Sequence, residues 1–283
     1  PCYGLIPRSF PDHVRHEPIQ IRKARRPMAS APFDLSGKVA LVTGGNGGIG
    51  KGIALGLARA GANIAVAARN QDKSARAVAE LEALGIQAIS IRCDVTDGDD
   101  VNAAVAACVE RFGGLDIVVN NSGINVRKLP HELDLEEWQT VIDVNLTGVF
   151  LMSKAAYPEM VNRGGGKVIN IGSMMSIFAH ETLAPYAASK GGVVQFTKAC
   201  ASAWAKDNIQ VNSIMPGWIA TDMTETLRIN VPERYETIRA RTPAQRWGRP
   251  DELAGTAVFL ATSASDFVTG TAIPVDGGYS IQS

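Results

Sequence analysis

Cysteine is scarce and badly placed for chemistry in this 283-residue chain: Cys2, Cys93, Cys108 and Cys200 show no C-x-x-C spacing. That excludes a disulfide framework and a cysteine-built metal site, and it suits a reducing compartment. The four histidines and the acidic residues show no H-E-x-x-H spacing, so no catalytic metal is expected. No apolar run approaches the roughly 18 residues needed to span a bilayer, so the chain should be soluble, cytoplasmic and free of membrane contact. Charge of one sign is also missing, because 28 Lys and Arg balance 28 Asp and Glu.

That balance hides an asymmetry. Residues 1–30 hold six basic residues against two acidic ones, a surplus of four, which leaves the remainder at −4. A mildly acidic body lacks the basic stripe that neutralises phosphates, which argues against nucleic acid as a partner. The basic, proline-containing segment has too little apolar periodicity to fold, and it lacks the apolar centre of a secretory signal. Residues 1–30 therefore read as a disordered N-terminal extension, and residues 31–283 as a single domain.

Hydrophobic residues make up 46% of the chain, enough for one large core. From Lys38 onward, short β-branched runs alternate with longer amphipathic segments. Strands are predicted at Val39–Thr43, Asn63–Ala68, Ala88–Arg92, Ile117–Asn120, Lys167–Ile171, Gln210–Ile214 and Ala272–Val275. Most are almost continuously apolar, as strands covered on both faces should be. Helices are predicted over about 48–60, 73–84, 97–112, 135–162, 185–206 and 251–261, with Asp134 and Glu137 as a capping box and Pro185 in a first turn. Repeated β-α-β units imply right-handed crossovers. The expected fold class is α/β: a single doubly wound Rossmann-type domain with a seven-stranded parallel sheet and helices on both faces.

The first strand runs through Thr43-Gly44-Gly45-Asn46-Gly47-Gly48-Ile49-Gly50 into a helix. Glycines let a pyrophosphate approach the backbone closely, and the helix N-terminus supplies N–H donors and a positive dipole end. The competing reading is a glycine turn that serves packing alone. A second constellation is Tyr186-Ala187-Ala188-Ser189-Lys190, which places a phenol and an ammonium at i and i+4 on one helix face. A nearby cation favours phenolate, so Tyr186 could exchange a proton with an alkoxide. The pair alone is weak evidence. Ser173, thirteen residues upstream at the end of the fifth strand, strengthens it.

The T-G-x-x-x-G-x-G turn, the Tyr-Lys pair and Ser173 resemble the short-chain dehydrogenases/reductases, and the resemblance covers about 245 residues. It implies an NAD(P)-dependent oxidoreductase that moves a hydride between nicotinamide and a secondary alcohol or ketone. By that resemblance the catalytic set is Asn145, Ser173, Tyr186 and Lys190. Asn145 would hold a water linked to the lysine, and Lys190 would lower the pKa of Tyr186; Ser176 competes for the serine role. The cofactor set is Gly44, Asn46, Gly47, Gly48, Ile49, Gly50, Arg69, Asn70, Asp94, Val95, Asn121, Ser122, Gly123, Tyr186, Lys190, Pro216, Gly217, Ile219 and Thr221. Ser122 departs slightly from the alanine that the family more often has.

Ala68 stands where an NAD-type enzyme of the family has an aspartate, and Arg69 follows it. A guanidinium suits a 2′-phosphate, so NADP(H) is favoured over NAD(H), which stays open. The segments Asn120–Lys128, Gly172–Ile177 and Arg246-Trp247-Gly248 resemble bacterial sugar-acid dehydrogenases of the gluconate 5-dehydrogenase and 2-deoxygluconate dehydrogenase type. A small-molecule substrate is implied, with Arg127, His180 and Trp218 as candidate contacts, although a solvated loop arginine is an equal reading of Arg127. Two alternatives stand beside this one: a 3-oxoacyl thioester reductase, and a non-catalytic dinucleotide sensor. The resemblance also implies a homotetramer, packed through the segment from Val268 to Tyr279.

Overall fold

A computed structural model describes residues 32–282; the extension expected over residues 1–30 lies outside them. Seven strands form one parallel sheet in the order β3-β2-β1-β4-β5-β6-β7. They are β1 (Val39–Thr43), β2 (Asn63–Ala68), β3 (Ala88–Arg92), β4 (Ile117–Asn120), β5 (Gly166–Ile171), β6 (Ile209–Pro216) and β7 (Ala272–Val275). The expected fold class is met, and strand bounds agree within one or two residues. β1, β4 and β6 are buried along their whole length, which is why their sequences lack polar alternation.

Side chains alternate across the sheet and build two cores. Ala40 and Val42 point to one side, where α1 (Gly48–Arg59), α2 (Gln71–Glu82) and α9 (Ala254–Ala261) contribute Ile53, Leu57, Leu81 and Leu260. Val39 and Leu41 point to the other, against α3 (Gly98–Phe112), α5 (Gly148–Asn162) and α6 (Ala184–Trp204), which add Val105, Met152 and Ala201. Period-two alternation thus assigns each strand residue to one layer or the other.

Sequence periodicity predicted a single helix over 135–162. The structure instead shows α4 (Leu135–Ile142), a π-helical turn at Asp143–Thr147, and then α5. The widened turn sits where asparagine, a poor helix-interior residue, occurs. Two further helices, α7 (Asp222–Asn230) and α8 (Pro232–Arg241), fill the segment between β6 and α9. Because β1 lies between β2 and β4, the crossovers leave the sheet in opposite directions there, opening a crevice at the strand C-termini.

Candidate active site

A cleft of about 620 Å³ occupies that crevice. At its phosphate end the chain leaves β1 through Gly44 and Gly48, with φ of +62° and +50°, values an L side chain resists. Helix α1 starts from Gly47 with no side-chain cap and no acidic residue in its first turn. By contrast α2, α3 and α4 are capped by Asn70, Asp97 and Asp134. An uncapped, acid-free N-terminus leaves its donors and dipole for an outside anion, so the turn fits a pyrophosphate. Gly44, Asn46, Gly47, Gly48 and Ile49 line the cleft, whereas Gly50 does not. A Cβ on Gly50 would lie 2.4 Å from both the Gly44 carbonyl oxygen and Asn121 Nδ2, so that glycine serves packing beneath the turn.

Thr43 joins the two loops at the crevice. Its hydroxyl accepts from the N–H groups of Asn121 and Ser122 at 2.9 and 3.0 Å and faces the Val119 carbonyl at 3.4 Å. The Asn121 side chain donates back to the Thr43 carbonyl at 3.0 Å. Ser122 and Gly123 complete this wall. Asn121 therefore shapes the cleft through the turn it holds.

Ala68, Arg69, Asn70, Asp94 and Val95 line the adenosine end. No carboxylate stands at the tip of β2, and Arg69 lies 3.7 Å from Asp94 with most of its side chain in solvent. The Asp94 carboxyl sits below its usual range because the Thr96 N–H bonds it, with the Thr96 hydroxyl adding to the effect. The Asn70 side chain accepts from the Lys73 N–H at 2.9 Å and caps α2. Asn46 donates to the Asn70 carbonyl and to Ser74 Oγ, tying the glycine turn to that helix. Lys73 was not anticipated. Its ammonium lies over Gly47, lines the cleft, and reaches Asp222 at the start of α7 at 3.0 Å.

At the other end Ser173, Tyr186 and Lys190 converge on one stretch of cleft wall. The buried Lys190 donates from Nζ to the Ile171 carbonyl at 2.8 Å and lies 5.8 Å from the Tyr186 ring centre. Burial pushes its pKa down to about 8. The Tyr186 phenol goes the other way from the expected lowering. Burial pushes it up, and the Ser173 hydroxyl and then the Arg127 guanidinium offset only part of that. Ser176 is separated from Ser173 by its partners: its hydroxyl donates to the Lys190 carbonyl at 2.8 Å and accepts from the Ser173 N–H at 3.2 Å. It braces the serine loop against α6.

Asn145 is fully buried behind this wall, on the π-helical turn. Its Oδ1 accepts from the Ile124 N–H at 2.8 Å, while its Nδ2 donates to the Ile124 carbonyl at 2.9 Å and to Ser189 Oγ at 3.1 Å. The amide thus pairs with one backbone residue as a neighbouring strand would. The widened turn and this contact occur together at the same residue.

Pro216, Gly217, Ile219 and Thr221 line the cleft after β6, with Thr221 facing Gly48 across it. Trp218 lines the cleft as well, and Arg127 sits near the phenol it influences. Asn125 adds a buried Oδ1 that lacks a hydrogen-bond donor among the described residues. His180 lies outside the main cleft, in a side chamber of about 350 Å³ that shares Met175, Leu183 and Trp218 with it.

Comparison with known proteins places this architecture among enzymes. A family model described as enoyl-(acyl carrier protein) reductase matches residues 44–280. A 2-dehydro-3-deoxy-D-gluconate 5-dehydrogenase of Formosa agariphila is 44% identical over 247 residues, 87% of this chain and 94% of that one. A 3-oxoacyl-[acyl-carrier-protein] reductase of Synechocystis is 42% identical over 246 residues, 86% of this chain and 97% of that one. The crystal structure of a gluconate 5-dehydrogenase from Burkholderia cenocepacia in complex with NADP and tartrate is 41% identical. It superposes with a TM-score of 0.85 over 89% of this chain and 98% of that one.

Proposed function

The chain belongs to the short-chain dehydrogenase/reductase family of NAD(P)-dependent oxidoreductases, and from that premise we propose that it interconverts a sugar acid such as gluconate with its keto form, using NADP(H). The observation that carries this reading is the cluster at the end of the cleft. The Tyr186 phenol, the Ser173 hydroxyl and the Arg127 guanidinium, which has no carboxylate partner among the described residues, line the stretch of cleft where a carbonyl oxygen and a substrate carboxylate would lie.

Bound NADP(H) would supply or accept the hydride. Gly47, Gly48 and Ile49 would hold its pyrophosphate, Arg69 and Lys73 the 2′-phosphate, and Asp94 and Val95 the adenine. Ser122, Gly123, Pro216, Gly217, Ile219 and Thr221 would flank the nicotinamide half, with Lys190 at its ribose. In carbonyl reduction, Tyr186 donates its phenolic proton to the oxygen as negative charge grows there, and the Ser173 hydroxyl stabilises the same oxygen. The raised phenol keeps that proton in place at neutral pH. In alcohol oxidation the proton moves the other way, which needs a phenolate and therefore higher pH.

The NADP(H) preference is supported by the missing carboxylate at Ala68 and by two ammonium or guanidinium groups, Lys73 and Arg69, at that end. Asn125 Oδ1 suits a substrate rich in hydroxyl donors, which separates a polyol acid from an acyl thioester. We carry the homotetramer and a cytoplasmic location as parts of this proposal. Phe267, fully exposed beside the segment from Val268 to Tyr279, supports the first. Among the described residues no helix is long and apolar enough to cross a membrane. The experiment is a substrate panel of 5-ketogluconate, gluconate and acetoacetyl thioester, each run with both cofactors. Preferred turnover of the thioester would transfer the assignment to the acyl reductases.

A further inference from the structure

The side chamber holds a second cation that sequence patterning did not single out. Arg234, on α8, points a guanidinium nitrogen at His180 Nε2, 2.7 Å away. An arginine only donates, and Nδ1 on the other side of the ring takes the Thr182 N–H at 3.2 Å with the Thr182 hydroxyl at 3.1 Å beside it. Both ring nitrogens face donors, an arrangement that disfavours imidazolium. Burial, and then the charge of Arg234, hold the ring below its usual pKa, so the imidazole that orients Arg234 is neutral. It fixes the guanidinium without cancelling any of its charge.

The same charge is felt at Arg127 in the adjoining cleft, where after burial it is the strongest influence holding that guanidinium below its usual pKa. Neither arginine has a carboxylate partner among the described residues. Six others, Arg69, Arg92, Arg163, Arg239, Arg246 and Arg249, find one; of the rest, Arg59, Arg76 and Arg111 are exposed on outer helices, and Arg241, in the same chamber, is taken up by the Tyr279 hydroxyl and ring. Like charges repel, weakly where water reaches them as at the exposed Arg127, and an anion bound between two guanidinium groups turns that repulsion into attraction. The chamber and the cleft share a wall, so a molecule with its reacting carbon at Tyr186 can extend its far end toward Arg234.

We propose that Arg234, oriented by His180, works with Arg127 as a two-arginine clamp on the carboxylate of the substrate, and so sets the preference for acids over neutral ketoses. This rests on the sugar-acid reading above. The clamp also links binding to the helix pair α7–α8, because one of its jaws is carried by α8. Arg127 reads the acid from the loop after β4, and Arg234 reads it from α8.

The test compares 5-ketogluconate with L-sorbose, the ketose of the same configuration in which the carboxylate is replaced by a hydroxymethyl group. In the Arg234→Gln enzyme the ratio of kcat/KM for the acid over the neutral sugar should fall at least about tenfold, as expected when a charged partner is lost. The loss should appear in KM with kcat little changed, and Arg234→Lys should recover part of it. An Arg234→Gln enzyme with an unchanged ratio, or with equal losses on both sugars, overturns the clamp while leaving the sugar-acid reading intact. A parent enzyme that turns over no sugar acid overturns both. Circular dichroism of each variant separates these results from misfolding: an unfolded Arg234→Gln enzyme passes the test to Arg234→Lys, whose KM must then shift in the same direction for the clamp to stand.

Discussion

Replacing Asn145 by alanine removes one side chain and strands two backbone groups. The Ile124 N–H and carbonyl each lose a partner, at 2.8 and 2.9 Å, and Ser189 Oγ loses a third contact. A backbone group left unpaired away from water costs about 1–3 kcal/mol, so the pair amounts to about 2–6 kcal/mol before any water enters the gap. For a chain of this size that corresponds to a fall in Tm of about 5–20 °C. The damage would not stay local. Ile124 follows Gly123, whose Cβ position lies 3.6 Å from Lys190 Nζ, so a slackened loop loosens the wall that the lysine faces. Thermal unfolding followed by circular dichroism, together with fluorescence titration of NADPH, measures both effects. A role limited to holding a relay water predicts a lower kcat with Tm unchanged. If Asn145→Ala unfolds within about 2 °C of the parent and turns over normally, the argument from paired backbone groups is wrong.

Other perturbations address the remaining parts of the site. Tyr186→Phe should cut kcat by at least about a hundredfold while NADPH affinity changes little; a variant retaining a tenth of the parent rate removes the phenol from proton transfer. Reduction should weaken above about pH 8, where Lys190 loses its proton, whereas oxidation, which needs the phenolate, should keep climbing through the alkaline range because burial raises the phenol. A reduction rate that keeps increasing past about pH 9 contradicts this order. Ala68→Asp should move the ratio of kcat/KM for NADPH over NADH toward NADH by about tenfold or more, since a carboxylate repels a 2′-phosphate and accepts from a ribose hydroxyl.

Legibility in the sequence followed the range of the interactions involved. Strands were readable because both faces of each are covered by the protein's own helices, and that condition is written into consecutive residues such as Val39–Thr43. The glycine turn and the Tyr186–Lys190 pair were readable because their spacing is local. The interruption of the 135–162 helix was not, since the contact that goes with it is to Ile124, twenty-one residues away from Asn145. Helix α2 begins two residues earlier than periodicity suggested because Asn70 caps it, a short-range signal that the apolar count overlooked. Lys73 and Arg234 escaped because a cation on a polar helix reads as a solvated face. Only the fold brings one over Gly47 and the other to His180. The direction of the Tyr186 shift likewise depends on how deeply the cleft encloses the phenol, which no spacing rule encodes.

The two sides of the dinucleotide cleft are fastened very differently. On the sheet side, Thr43 acts as a rivet through strands β1 and β4, and its bonds are sheltered from solvent. On the α7 side, the Lys73–Asp222 contact spans the mouth with its carboxylate 90% exposed, where water and salt weaken it. A nucleotide arriving at Gly47 competes for that same ammonium with two or more phosphate charges against one carboxylate. Of the two fastenings, the helical one is therefore the weaker, and it is made with the ammonium that an incoming phosphate would claim.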